Sequence, residues 1–205
     1  LNQDGKILKS REGNTIKLVD LLSESISRAK DVISEKNPNL SANEKYNSAK
    51  MIGIGAVKYA DLSTERSKDY VFDWDIMLSF EGNTAPYLQY AYARICSIFS
   101  KSDISSTSLY DSIFIIIDKE EELLAKRLLS FANIIEESII TFSPHKLCNY
   151  LHSLASSFAS FYENCPVLKN ENKELIKSRL ALCDLTGRTL KLGLELLGID
   201  SPEKM

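Results

Sequence analysis

Glu81-Gly-Asn-Thr84-Ala-Pro86-Tyr87-Leu-Gln-Tyr90-Ala-Tyr-Ala-Arg94 decides how the rest of this 205-residue sequence is read. Thr84 is a helix-capping residue, and Pro86 stands in the first turn behind it, where a missing N–H has no helical partner to lose. The helix that this opens spans residues 85–100. On it Tyr87, Tyr90 and Arg94 fall at i, i+3 and i+7 and share one face, while Leu88, Ile95 and Phe99 form a second, buried flank. Two phenols and a guanidinium on a presented face suit an unpaired nucleic-acid base, because rings and guanidinium planes both stack on it. The competing reading puts the tyrosines half inside the core with only their hydroxyls in water. Periodicity alone leaves both open.

Working outward, the sequence predicts helices almost throughout after its first fifteen residues. Residues 16–36 carry Leu18, Leu21, Leu22, Ile26, Ala29 and Ile33 at helical spacing and stop at Asn37-Pro38. Ser41-Ala-Asn-Glu44 is a capping box opening a second helix that reaches about residue 62. Gly53 and Gly55 inside it each cost about 1 kcal/mol against alanine, which implies a close neighbour there. Residues 70–80 read as a short connection with one helical turn. A Ser-rich loop over 101–108 follows the central helix. The pattern then continues over 109–142 as two helices, restarts at Ser143-Pro144 and stops at Cys165-Pro166. A last helix covers residues 169–197. On it Lys169, Lys173, Lys177, Arg188 and Lys191 form one stripe interrupted by Asp184, opposite Leu175, Ile176, Leu182, Leu190 and Leu197. The stripe reads as a solvated face or as a phosphate contact. Arg179 falls on the apolar side, so a partner or an edge is expected for it. The fold class is all-α, a helical bundle.

At 44% hydrophobic and 26% charged residues, the sequence can bury a full core. The richest apolar run, Ile113 to Ile117, is far shorter than the roughly 18 residues of a membrane span. With no signal-peptide pattern either, the expectation is a cytoplasmic protein without a membrane partner. The four cysteines (Cys96, Cys148, Cys165 and Cys183) contain no Cys-x-x-Cys pair, and His145 and His152 stand seven apart among apolar residues. No metal-ligand spacing matches, so packed thiols and helix-surface histidines are expected and no metal site is assigned. A net charge of −3 excludes bulk attraction to nucleic acid, so any RNA contact has to come from a local patch.

The block over 81–94 resembles the start of the anticodon-binding helical domain of the class I arginyl-tRNA synthetases. The likeness extends through Gly55-Ala-Val-Lys-Tyr-Ala-Asp-Leu-Ser63 and Trp74-Asp-Ile-Met-Leu-Ser-Phe80 before it. After it come Phe161-Tyr-Glu-Asn-Cys-Pro-Val-Leu168, Arg179-Leu-Ala-Leu-Cys-Asp-Leu-Thr186 and Leu192-Gly-Leu-Glu-Leu-Leu-Gly-Ile-Asp-Ser-Pro-Glu-Lys-Met205. Near the other end, Lys6-Ile-Leu-Lys9-Ser10 resembles the class I signature Lys-Met-Ser-Lys-Ser at both lysines and the serine, departing at Ile7 and Leu8.

The resemblance implies an aminoacyl-tRNA synthetase of protein biosynthesis that attaches arginine to tRNA(Arg) with ATP and Mg2+, and it implies no DNA partner. Lys6, Lys9 and Ser10 would close on the ATP phosphates, Lys9 as the main contact, favouring the charge that builds as pyrophosphate leaves. Tyr87, Arg94, Tyr162 and Met205 would meet tRNA, and Tyr90 joins them by sharing a face. The implied division is 1–15 as a remnant of the catalytic domain, 16–80 as a helical connecting region that meets the tRNA stem, and 81–205 as the anticodon-binding bundle. No His-x-Gly-His signature or alternating strand–helix run is present, so the expectation is a C-terminal fragment, inactive in aminoacylation and needing no cofactor by itself. The alternative is a non-catalytic helical module that binds protein through the 113–117 region or the Tyr87 face.

Overall fold

The computed structural model describes residues 17–69, 72–104, 106–109 and 112–205. Lys6, Lys9 and Ser10 lie outside the described residues.

Eight α-helices form the described part: α1 (Leu18–Lys36), α2 (Ala42–Ser63), α3 (Trp74–Met77), α4 (Ala85–Ser100), α5 (Lys119–Leu129), α6 (Phe131–Ile140), α7 (Pro144–Asn164) and α8 (Lys173–Leu196). A 3-10 turn, Ser106–Leu109, follows α4, and no strand occurs among the described residues. No described helix is long and apolar enough to cross a membrane.

Most of these ends are set by local chemistry. Ser41 and Glu44 close the expected capping box on α2. The Thr84 hydroxyl accepts the Tyr87 N–H at 3.2 Å and donates to the Ser79 carbonyl at 2.6 Å, fixing both the start and the entry of α4. Asn172 caps α8, which therefore begins four residues later than expected and leaves Lys169 ahead of it. Leu18 also departs from the pattern: it stays 67% exposed at the first turn of α1.

The largest departure from the helical pattern is at residues 112–117, which are not helical; α5 begins only at Lys119. Isoleucines at 113 and 115–117 lose side-chain freedom in a helix. The Ser178 hydroxyl on α8 competes for the backbone, accepting the Ile115 N–H at 2.8 Å and donating to its carbonyl at 3.0 Å. The Glu121 carboxylate takes the N–H groups of Ile117 and Asp118, so the helix starts behind them.

Helix α7 is the hub, packed against α2, α4, α5, α6 and α8. Its Leu151, Leu154, Phe158 and Phe161 are fully buried, in a cluster with Leu88, Ile95, Leu180 and Leu190. A smaller cluster sits between α1 and α2 around Ala29, Ile33, Ala49 and Ile52, with Met205 packed against it. Gly53 permits that pairing: a Cβ there would lie 2.7 Å from the Ser25 carbonyl and from the Ile26 nitrogen on α1.

Arg179 is buried and paired. It donates to Glu121 Oε1 at 2.6 Å, to Asp118 Oδ2 at 2.7 Å and to the Pro166 carbonyl at 2.9 Å, tying α8 to α5 and to the segment after α7.

Candidate nucleic-acid interface

Helix α4 is held with one side in the core and the other on an open cleft of about 880 Å³. Asn37 and Leu40 between α1 and α2, residues 166–169 after α7 and residues 203–205 after α8 form its other walls. Four residues singled out from the sequence meet here: Tyr90, Arg94, Tyr162 and Met205.

Arg94 is the centre of the group. Its guanidinium carbon lies 4.8 Å from the Tyr90 ring centroid and 5.5 Å from that of Tyr162, and Nη2 donates to the Tyr90 hydroxyl at 3.0 Å. Tyr90 and Tyr162, at 39% and 40% exposure, are neither sealed in the bundle nor free of it. Each ring is steadied from behind. Tyr162 stacks on Phe158 at 6.0 Å, and Tyr90 meets Phe80 edge-on at 6.2 Å. Lys36 in turn lies 4.7 Å over the Phe80 ring. Fixing aromatic and guanidinium planes before a ligand arrives lowers the ordering cost of stacking on them.

Tyr87 is not part of this cleft. It is half-buried against the main core, with its ring 5.5 Å from that of His152. Burial lowers the pKa of that imidazole, which favours its neutral form. The i+3 and i+7 arithmetic therefore placed Tyr90 and Arg94 together but could not separate Tyr87, one step round the helix and nearer to α7.

The cations of the rim were missed as a group. Lys101, Lys169 and Lys204 line the cleft with Arg94, and Glu203 is the one acidic side chain among the lining residues. They come from three distant parts of the chain, so no window of sequence shows them together. The stripe on α8 is a different feature. Lys177 pairs with Glu174 at 2.9 Å and Arg188 with Asp184 at 3.0 Å, while Lys191 lies 6.0 Å from the centroid of the Tyr92 ring.

Among the described residues, two places with reactive side chains bear on the site. Cys96 lines the cleft, and burial pushes its thiol up despite the opposing bond to Tyr92, so it stands protonated at neutral pH. Asp118, Glu121 and Cys165 bring two carboxylates and a sulfur within 4.8 Å of one another. The Arg179 guanidinium already bonds both carboxylates, and the Cys165 thiol is pushed up to about 11, by burial first and then by the two acids. A protonated thiol beside an arginine is a poor ligand set for a metal cation.

Known proteins resemble this chain over its whole length. The DALR anticodon binding domain family matches residues 88–205, and the class I (R) tRNA synthetase catalytic domain matches residues 1–74. A protein of Haemophilus influenzae named arginine–tRNA ligase is 56% identical over the whole chain, and one of that name from Histophilus somni is 55% identical. The chain spans 36% of the length of either relative. Arginyl-tRNA synthetase of Thermus thermophilus superposes with a TM-score of 0.86 at 32% identity, covering 100% of this chain and 34% of that one. With more than half of its residues inside the first of these matches, the chain belongs to the DALR anticodon-binding domain family.

Proposed function

We propose that this chain is the tRNA-reading part of an arginine–tRNA ligase, the enzyme that joins arginine to tRNA(Arg) using ATP and Mg2+ in the cytoplasm. One observation carries the reading: Tyr90, Arg94, Tyr162 and Met205 converge on one open cleft although they lie on α4, α7 and the segment after α8. Rings held by a shared guanidinium, with cations at the rim, match what an unstacked nucleotide needs. Tyr87 is a second, outlying contact on the α7 side. Residues 81–205 form the anticodon-binding bundle and residues 16–80 the connecting region that meets the tRNA stem. That division is supported by the separate small core between α1 and α2.

Residues 1–15 belong to the catalytic portion. ATP supplies the activation energy when bound, and Lys6, Lys9 and Ser10 are the groups of this chain that would hold its phosphates. The alternative, a protein-binding module, gains support from exposed Ile113 and Ile117 but gives no reason for the aromatic cleft.

Filter binding of tRNA(Arg) tests the reading. One stacked base is worth about 1–3 kcal/mol on alanine substitution. Arg94→Ala and Tyr162→Ala each weaken binding about 5- to 150-fold with an unchanged helical circular-dichroism signal. Affinities equal to that of the parent chain return both residues to packing roles.

A further inference from the structure

Gln89 points away from the cleft that its neighbour Tyr90 lines. It is fully buried, and its side-chain nitrogen donates to two carbonyls, that of Met51 on α2 at 3.2 Å and that of Asp200 at 2.7 Å. Its Oε1 is buried with no bonding partner. An amide placed there for packing alone would leave both ends unmet; here only the donor end is used, and it bridges two separate parts of the chain.

The second part is the segment that follows α8. Gly198, at φ +69°, turns the chain: its N–H bonds the Glu195 carbonyl at 2.9 Å and the Ile199 N–H bonds that of Leu194 at 2.9 Å. The segment then runs back along α2 to the gap between α1 and α2. Lys58 donates to the Gly198 carbonyl, Ser48 to that of Lys204 at 3.3 Å, and Asn37 to that of Met205. Four side chains thus hold backbone carbonyls of this segment, and Gln89 is the buried one on α4. Gly55 leaves the space for it, since a Cβ there would stand 3.0 Å from Gln89 Nε2 and 3.0 Å from Ile199 Cγ2.

We propose that Gln89 is a positioning residue: through Asp200 it fixes the segment after α8 and so sets Met205 as a wall of the nucleotide cleft. One helix then does two jobs, presenting Tyr90 and Arg94 on one side and registering the opposite wall from the other. The consequence for binding rests on the tRNA reading above; the registration of the segment does not.

Two measurements on the full chain separate these. Gln89→Met keeps the bulk and removes the donor. It is expected to speed cleavage at Glu203 by a glutamate-specific protease at least tenfold with helical content intact. Gln89→Leu, smaller and likewise without a donor, does the same and decides the matter if Gln89→Met does not fold. In filter binding, Gln89→Met weakens tRNA(Arg) by the same factor as Met205→Ala and adds nothing in the double variant. Glu203 as protected in the variants as in the parent overturns the proposal, as do losses that multiply in the double variant. Faster cleavage with unchanged tRNA affinity for both Gln89→Met and Met205→Ala supports the registration and refutes the nucleotide reading of the cleft.

Discussion

Arg179 shows how one side chain can hold three elements together. Glu121 is fully buried, and burial by itself would raise its carboxyl; the N–H groups of Ile117 and Asp118 and the guanidinium outweigh that and hold it below its ordinary 4.5. Arg179→Met strips the charge and leaves Glu121 uncompensated, a change worth about 3–5 kcal/mol when a buried pair is broken on one side. Urea denaturation should show that loss as a lower midpoint with the slope unchanged. The same network gives an acid limb to stability. Because the folded carboxyl sits below its unfolded value, the contribution is complete above pH 4.5 and is lost as the pH falls through the lowered folded value. Glu121→Gln should flatten that limb in urea midpoints taken from pH 6 to about 3. The sequence placed Arg179 on an apolar face and so demanded a partner, but nothing local named Glu121, which is 58 residues away. Gln89 left even less of a trace. A glutamine between Leu88 and Tyr90 reads as ordinary helix, and its two carbonyl partners lie 38 and 111 residues off.

At the scale of elements, what was legible was what neighbours in sequence decide. The Ser41–Glu44 box, the Thr84 cap with Pro86, and the stop after Asn164 all depend on groups within a few residues. The stretch from 112 to 117 was misread because the Ile115 backbone answers to Ser178, on a helix some sixty residues later. The glycines fall between these cases. Two glycines in a helix announce a close approach without saying to what, and the structure shows that Gly53 meets the backbone of α1. That distinction sets the prediction. Alanine at 53 gains about 1 kcal/mol of helix propensity, yet its Cβ meets Ser25 and Ile26 main-chain atoms at 2.7 Å, which cannot swing aside. Overpacking of this kind costs about 1–3 kcal/mol, so Gly53→Ala should lower stability, and α1 amides should exchange faster than those of α7. Gly187→Ala, facing only the Ile95 side chain at 3.0 Å, should be far milder.

Charge is a property of the whole molecule, and here the net and the local values disagree in sign. The chain carries −3 overall, yet Arg94, Lys101, Lys169 and Lys204 stand around one cleft with Glu203 as the lone acidic side chain there. An RNA strand entering the cleft would feel the rim, because beyond about 8 Å at physiological salt the remaining charges are screened. Counterion release then gives a direct reading. Each phosphate neutralised on a single strand contributes about 0.7 to the slope of log affinity against log salt. Lys101→Gln, Lys169→Gln and Lys204→Gln should each flatten that slope by about this amount while leaving thermal stability unchanged, as expected of exposed lysines. Lys173→Gln and Lys191→Gln on α8 provide the contrast. Their neighbours Lys177 and Arg188 already pair with Glu174 and Asp184, so the stripe there has the make-up of a solvated face and its variants should keep the parent slope. Slopes that fall for the α8 lysines and hold for the rim would move the RNA path from the cleft to the outer face of α8, and the stacking role of Arg94 and Tyr162 would go with it.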